Sequence, residues 1–301
     1  MSFIAFVLIV TSATLHAAWN LIAKKNTMTV FFYAQISTVA TLSWFHMQLW
    51  TPIRLSELPP AFWGSLIGSL LSDLLYCWGL VHTYRRMEMA SAYPIMRALP
   101  ILLTAVVTGW LGWGTTLGFA AKLGFFIVCI GALLMPLGKL SDFKLSRYLS
   151  WNMWNVFLVA CGTTGYTIFD SRAQFYMHAV AEHVSKPILS MSYYSTRSIC
   201  LTSVLWLIIA SVPENRALAK KCWREQNLTP LLAGVFASGT YVLVLLAMNY
   251  VTNVSYVQVF RQLGLPIGMA AGVLILKERC ATIKCVGVTL ILLGLALSLW
   301  R

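Results

Sequence analysis

Residues 88–110 read EMASAYPIMRALPILLTAVVTGW. The run is apolar and long enough to cross a bilayer as a helix, yet Arg97 stands near its middle, between Pro94 and Pro100. A guanidinium is not deprotonated in proteins, and placing one at the centre of a bilayer costs at least a few kcal/mol. Such a residue faces a wet cavity or a partner. The design returns at residues 255–266, SYVQVFRQLGLP, where a shift of 164 positions brings Ser91 onto Ser255 and Arg97 onto Arg261.

Composition agrees with a membrane class. Of 301 residues, 59% are hydrophobic and 10% charged, against about 25% charged in a typical soluble domain; the mean hydropathy is +0.75. A net charge of +13 in a soluble chain would suggest nucleic acid. Here the Lys and Arg fall in short connections, so no nucleic-acid partner is expected and the charge reads as orienting the helices. Seven Cys are scattered without a CxxC pair or a metal-ligand cluster, and they read as packing residues. The first apolar run lacks a basic leader and a cleavage site, so it reads as a retained helix.

Ten spans follow, at 3–23, 30–50, 61–81, 89–110, 117–137, 154–171, 188–212, 231–250, 253–276 and 281–300. The sixth is the weakest, crowded by Thr163, Thr164, Tyr166, Asp170 and Arg172. The offset of 164 relates spans three and four to eight and nine. In span five, Gly124 and Gly131 fall on Gly287 and Gly294 at 163; His16 falls on Tyr166 and Asn20 on Asp170 at 150; Tyr33 falls on Tyr194 at 161. Because five is odd, two five-helix halves enter the membrane in opposite senses. The expected fold is an all-α integral membrane protein of ten transmembrane helices in two inverted repeats, 1–137 and 154–301, joined by a loop at 138–153, with the site between the halves. Connections after odd-numbered spans hold fourteen Lys and Arg. The other face has Arg54, Lys122, Arg172, Lys186 and Arg301, and Arg97, Arg197 and Arg261 lie within spans. This bias puts both termini outside the cytoplasm.

The candidate substrate residues are Arg97 and Arg261, with Tyr93 and Gln258 on the same helical faces and Asn20 and Tyr166 on helices one and six. Guanidinium groups match carboxylate or phosphate bidentately; the bland alternative is that each arginine pairs with a carboxylate in a closed bundle. Asp73, on a stripe with Ser65 and Ser69, is either a proton-coupling carboxylate or an arginine's partner. His16 is a candidate proton relay or a hydrogen-bonding residue between helices. Asp170 is either a substrate contact or a solvated helix-end residue beside Arg172. Arg197 lies within its span, within snorkelling reach of the interface. The Gly264, Gly268, Gly272 stripe is expected to admit a close backbone, and Pro94, Pro100 and Pro266 to loosen the helices around them. No nucleotide-binding, metal or other cofactor motif is present.

The run His16 to Lys24, the Tyr93-Pro94-x-x-Arg97 motif with Pro100, and the stretch from Tyr241 through Arg261 to Glu278 and Arg279 resemble the drug/metabolite transporter superfamily, in its EamA-like ten-helix branch. The first two are similar to a bacterial subgroup linked to phosphonate utilisation. The resemblance implies a multi-pass carrier of the bacterial inner membrane, exporting or exchanging a small metabolite with protons or a counter-substrate. Two features depart from the family: Gly114 stands where the second half has Glu278, and the family is drawn with both termini cytoplasmic. The expected function is secondary transport, by alternating access, of a small anionic or zwitterionic metabolite, with membrane lipids as surroundings. A flippase for a phosphate-bearing lipid is the rival. An intramembrane enzyme using His16, Asp73 and Asp170 is disfavoured for want of a catalytic motif.

Overall fold

The computed structural model describes residues 1–23, 29–51, 53–86, 89–142, 153–224, 228–274, 277 and 281–300; within the helices, the side chains of 17–23, 84, 89–91, 93, 94, 218 and 221–224 lie outside the described set. The described residues form helices and no strand. In order these are α1 (Phe3–Ala23), α2 (Val30–Trp44), α3 (Met47–Trp50), α4 (Pro60–Arg86), α5 (Met89–Trp110), α6 (Phe119–Leu134), α7 (Met153–Val180), α8 (Lys186–Ser211), α9 (Pro213–Arg224), α10 (Thr229–Met248), α11 (Ser255–Phe260), α12 (Gly264–Leu274) and α13 (Thr282–Ser298). Proline marks several starts, where its missing N–H removes no helical bond: Pro60, Pro187, Pro213 and Pro230 all lie in first turns. Thr29 caps α2 by accepting from the Phe32 amide at 3.1 Å.

Each of the ten sequence-derived spans contains helix among the described residues. Four helical stretches are long and apolar enough to cross a bilayer: Pro60–Thr83, Lys186–Ser211, Thr229–Met248 and Ser255–Leu274. The polarity is the reverse of a water-soluble bundle. On α4, Ile67, Leu71 and Trp78 face outward while Ser65, Ser69 and Asp73 are buried. Val106 and Trp110 on α5 and Phe119 and Phe126 on α6 are likewise exposed, and Thr104 and Thr108 are buried.

The sixth span is the one the sequence undersold. As α7 it runs from Met153 to Val180, and its polar residues Thr163, Thr164, Thr167, Asp170 and Gln174 are all buried. The hydropathy dip marks an inward face whose partners come from other helices. The connection after α8 also holds an unexpected helix, the amphipathic α9.

α4 packs along α7, α1 along α10, α2 along α8, and α6 along α13. The last pair explains the four glycines. A β-carbon on Gly131 would lie 2.6 Å from the Gly287 carbonyl oxygen, and one on Gly294 would lie 2.6 Å from that of Gly124. The expected close approach therefore occurs here. At the Gly264 stripe it does not: a β-carbon on Gly264 meets nothing nearer than 3.6 Å, and one on Gly268 meets nothing within 4 Å.

Before Pro266 the helix tightens without ending. The proline cannot donate to the Gln262 carbonyl, and a 3-10 turn at Arg261–Leu263 joins α11 to α12. Around Pro100, by contrast, α5 stays α-helical. Neighbouring elements also donate to carbonyls in the turn before Pro100, Gln262 Nε2 to that of Arg97 at 3.2 Å and Cys129 Sγ to that of Ala98 at 3.4 Å.

Gly131→Ala is expected to lower the thermal midpoint of the detergent-purified protein, at an overpacking cost of about 1–3 kcal/mol. Gly264→Ala should leave the midpoint near wild type; equal losses in both variants would refute this account of the α6–α13 contact.

Candidate functional site

Two polar centres occupy the interior. The first assembles the arginines read from the sequence. Arg97 lies eight residues past the start of α5, and Arg261 follows directly on α11. Both guanidinium groups act electrostatically on the His16 imidazole of α1. A β-carbon on Gly264 would sit 3.8 Å from Arg97 Nη2 and 3.6 Å from the Ala13 carbonyl oxygen, so α1, α5 and the start of α12 meet at this point. Arg261 Nη1 donates to Gln258 Oε1 at 3.4 Å, and Gln258 and Gln262 are buried. Arg97, Arg261, His16 and Gln258 therefore form one neighbourhood. The side chains of Tyr93 and Asn20 lie outside the described residues.

The second centre is built on Arg197 of α8, which sequence reading placed within a span but left out of the site. It is buried, and its guanidinium takes both intramembrane carboxylates. Nη2 lies 2.8 Å from Asp73 Oδ2, and Nε lies 3.2 Å from Asp170 Oδ1. Tyr33 OH donates to Asp73 Oδ1 at 2.8 Å. Tyr193 OH donates to Asp170 Oδ1 at 2.5 Å, Ser69 Oγ donates to the same oxygen, and Tyr241 OH donates to Asp170 Oδ2. The Arg197 guanidinium carbon also lies 5.1 Å from the Tyr241 ring centroid and 5.9 Å from that of Tyr166. Five helices, α2, α4, α7, α8 and α10, are tied at one point.

Two sequence readings, those of Asp170 and Tyr166, are corrected here. Asp170 is not a solvated helix-end residue beside Arg172. It is fully buried, ten residues from the end of α7, and pairs with Arg197. Arg172, two residues on, projects about 200° around the helix from it. Arg197, read from the sequence as lying within its span, is 4% exposed and packed inside the bundle. Tyr166 joins the Arg197 cluster rather than the arginine pair. For Asp73, the partner reading is the one realised, with Arg197 as the arginine.

Counting formal charges, two carboxylates face one guanidinium, so the cluster carries one surplus negative charge when both acids are ionised. Desolvating ions in a low-dielectric interior is expensive unless every lone pair is met. The tyrosines and Ser69 meet them. The arrangement can hold a proton on one carboxylate or lower the energy of a nearby cation; the Arg97 and Arg261 centre suits an anion. Some of the donors had a sequence signal. Residues 190–198, SMSYYSTRS, are a strongly polar run inside an apolar span, and such a run marks a helix with polar work to do.

No protein-family model matches the chain, and no curated protein matches it. A solved structure, described only as "Crystal structure of protein", shares the fold with a TM-score of 0.67, over 98% of this chain and 95% of its own, at 11% identity. At that identity the likeness concerns the fold alone.

The charge balance orders the effects of substitution. Arg197→Leu leaves two buried carboxylates without their cation and should cost about 3–5 kcal/mol, the range for breaking a buried pair. Asp73→Asn leaves a balanced Arg197–Asp170 pair and should cost less. Thermal unfolding of the two purified variants tests this; a larger loss in Asp73→Asn would contradict the surplus of negative charge.

Proposed function

We propose that this protein is a secondary transporter of the drug/metabolite superfamily kind, with ten transmembrane helices in two inverted halves, carrying a small anionic or zwitterionic metabolite by alternating access across a bacterial inner membrane. The observation that carries the reading is that Arg97 Nη2 would lie 3.8 Å from a β-carbon on Gly264, three residues after Arg261, the arginine that the 164-residue offset pairs with it. Guanidinium groups from both halves suit a carboxylate or phosphate held between them, where rocking of one half against the other exposes it to each side in turn.

The packing supports the repeat. Exchanging the halves turns the α4–α7 contact into α10–α1 and returns α2–α8 to itself, and all three contacts are made. The glycines behave the same way. Gly124 meets Gly294 and Gly131 meets Gly287, while the sequence offset equates Gly124 with Gly287 and Gly131 with Gly294. A two-fold axis in the membrane plane produces such reciprocal pairs. The apolar outer faces and polar interior support a multi-pass membrane location. The Asp73–Arg197–Asp170 cluster, one negative charge in surplus, is the proposed coupling element, accepting a proton in one stage of the cycle.

Transport by the reconstituted protein should fall at least about tenfold in Arg97→Ala and in Arg261→Ala, the effect of losing one charge-assisted contact, with folding yield retained. A thermal-shift screen of amino acids, nucleotides, sugar phosphates and phosphonates selects the solute. Normal uptake in both variants would remove the arginines from the site. An imposed pH gradient should change the rate, and no response would exclude proton coupling.

A further inference from the structure

A cavity of about 420 Å³ opens where the ends of α5, α7 and α10 meet the beginnings of α8 and α11. Of the residues lining it, Arg172 and Lys186 are cationic and none is acidic. The location gives those charges weight. The face on which they lie holds only five Lys and Arg by the sequence count, and two of the five share this one cavity. Orienting the helices requires the opposite bias, so these cations call for another explanation.

Arg172 is held in place. Its guanidinium carbon lies 4.7 Å from the Trp113 ring centroid, 4.5 Å from that of Phe175 and 5.1 Å from that of Tyr176. Nη2 donates to Tyr176 OH at 3.2 Å. Among the described residues no carboxylate lies within ion-pair distance of it, and its buried Nε–H has no acceptor. An arginine fixed by aromatic faces keeps its in-plane donors for a ligand and loses little side-chain freedom on binding one. Gly114, on the cavity wall, has φ +96°, and a β-carbon there would sit 2.8 Å from the Thr252 carbonyl oxygen, so two chain segments approach closely at this edge. No larger residue fits, which accounts for the missing counterpart of Glu278.

The remaining polar wall is oriented. Asn249 Nδ2 donates to Ser190 Oγ at 2.7 Å and to the Leu245 carbonyl at 3.2 Å. Its Oδ1 is thereby turned to His178 Nε2, 2.7 Å away, so that nitrogen carries hydrogen. A cavity of this size suits a small metabolite, and Trp113 and Phe175 give it apolar walls.

We propose that this cavity is a second anion-binding site, in which Arg172 and Lys186 take the phosphate, phosphonate or carboxylate group of a small solute or of a lipid headgroup. It is separate from the arginine pair. Val254 lines the cavity, and Arg261 lies seven residues further on, about 10 Å along the helix axis. The binding claim does not rest on the transporter reading.

The test is calorimetric titration of the purified full-length protein with glycerol 3-phosphate, phosphonoacetate and malonate. The same protein is compared in nanodiscs of phosphatidylcholine with and without phosphatidate. Saturable binding of at least one probe is expected, weakened on the order of tenfold by Arg172→Gln and several-fold by Lys186→Gln, and unchanged by Lys122→Gln, an exposed cation of the same face that does not line the cavity. Lys186 is exposed, so its variant tests the site even where Arg172→Gln folds poorly. Binding only of phosphatidate, with the same loss in the variants, assigns the site to lipid headgroups. Binding lost in Arg97→Gln but kept in both cavity variants would overturn the proposal while leaving the arginine pair as an anion site. The absence of saturable binding by any probe would overturn it as well.

Discussion

Arg197 binds two carboxylates from two other helices in an interior from which water is largely excluded. Everything else in the core is arranged around the consequence. An unpaired carboxylate at that depth would be strongly destabilising, so Asp73 and Asp170 fix how α4, α7 and α8 sit against one another. Tyr33 and Tyr241 then draw in α2 and α10. Lipid-facing apolar surfaces provide little discrimination between helix partners, because lipid tails are as apolar as leucine. The polar cluster supplies that discrimination, together with the backbone-close glycine contact of α6 and α13.

The interior is electrostatically divided. Arg97 and Arg261 bring two guanidinium groups to the start of α12, and Asp73, Asp170 and Arg197 form a hydrogen-bonded centre with one negative charge in surplus. A small zwitterion or an anion travelling with a proton satisfies both kinds of centre, and a neutral apolar solute satisfies neither. The arginine pair is also where the helix tightens. The 3-10 turn at Arg261–Leu263 sits directly on the arginine, so the backbone there departs from regular helix beside the residue proposed to hold the solute.

Sequence reading recovered what is periodic and local. Helix positions, the inward stripe of Ser65, Ser69 and Asp73, and the irregular turn before Pro266 follow from spacing and from the chemistry of single residues. One offset relates Arg97 and Arg261, and Arg97 lies beside Gly264, three residues after Arg261. The Arg197 cluster was not legible, since its members are drawn from five helices and paired residues lie 23 to 128 positions apart. Hydropathy also misled at α7, where buried polar residues look like a weak span until their partners are known. The glycines make the same point. Gly264 and Gly268 have the spacing of a contact stripe but no close neighbour, whereas Gly124, Gly131, Gly287 and Gly294 do, because spacing does not say which face meets a neighbour.

The central claim is that the arginine pair lies between two halves that open it to opposite sides in turn. Gly264 is the place to ask, because it adjoins Arg97 and Ala13 with room for a β-carbon. In a chain whose seven native cysteines are replaced, Gly264→Cys in oriented membranes is labelled with an impermeant thiol reagent from each side separately. The account predicts labelling from both sides, slowed by a bound anion. Labelling from one side only, unaffected by anions under every condition, would contradict it.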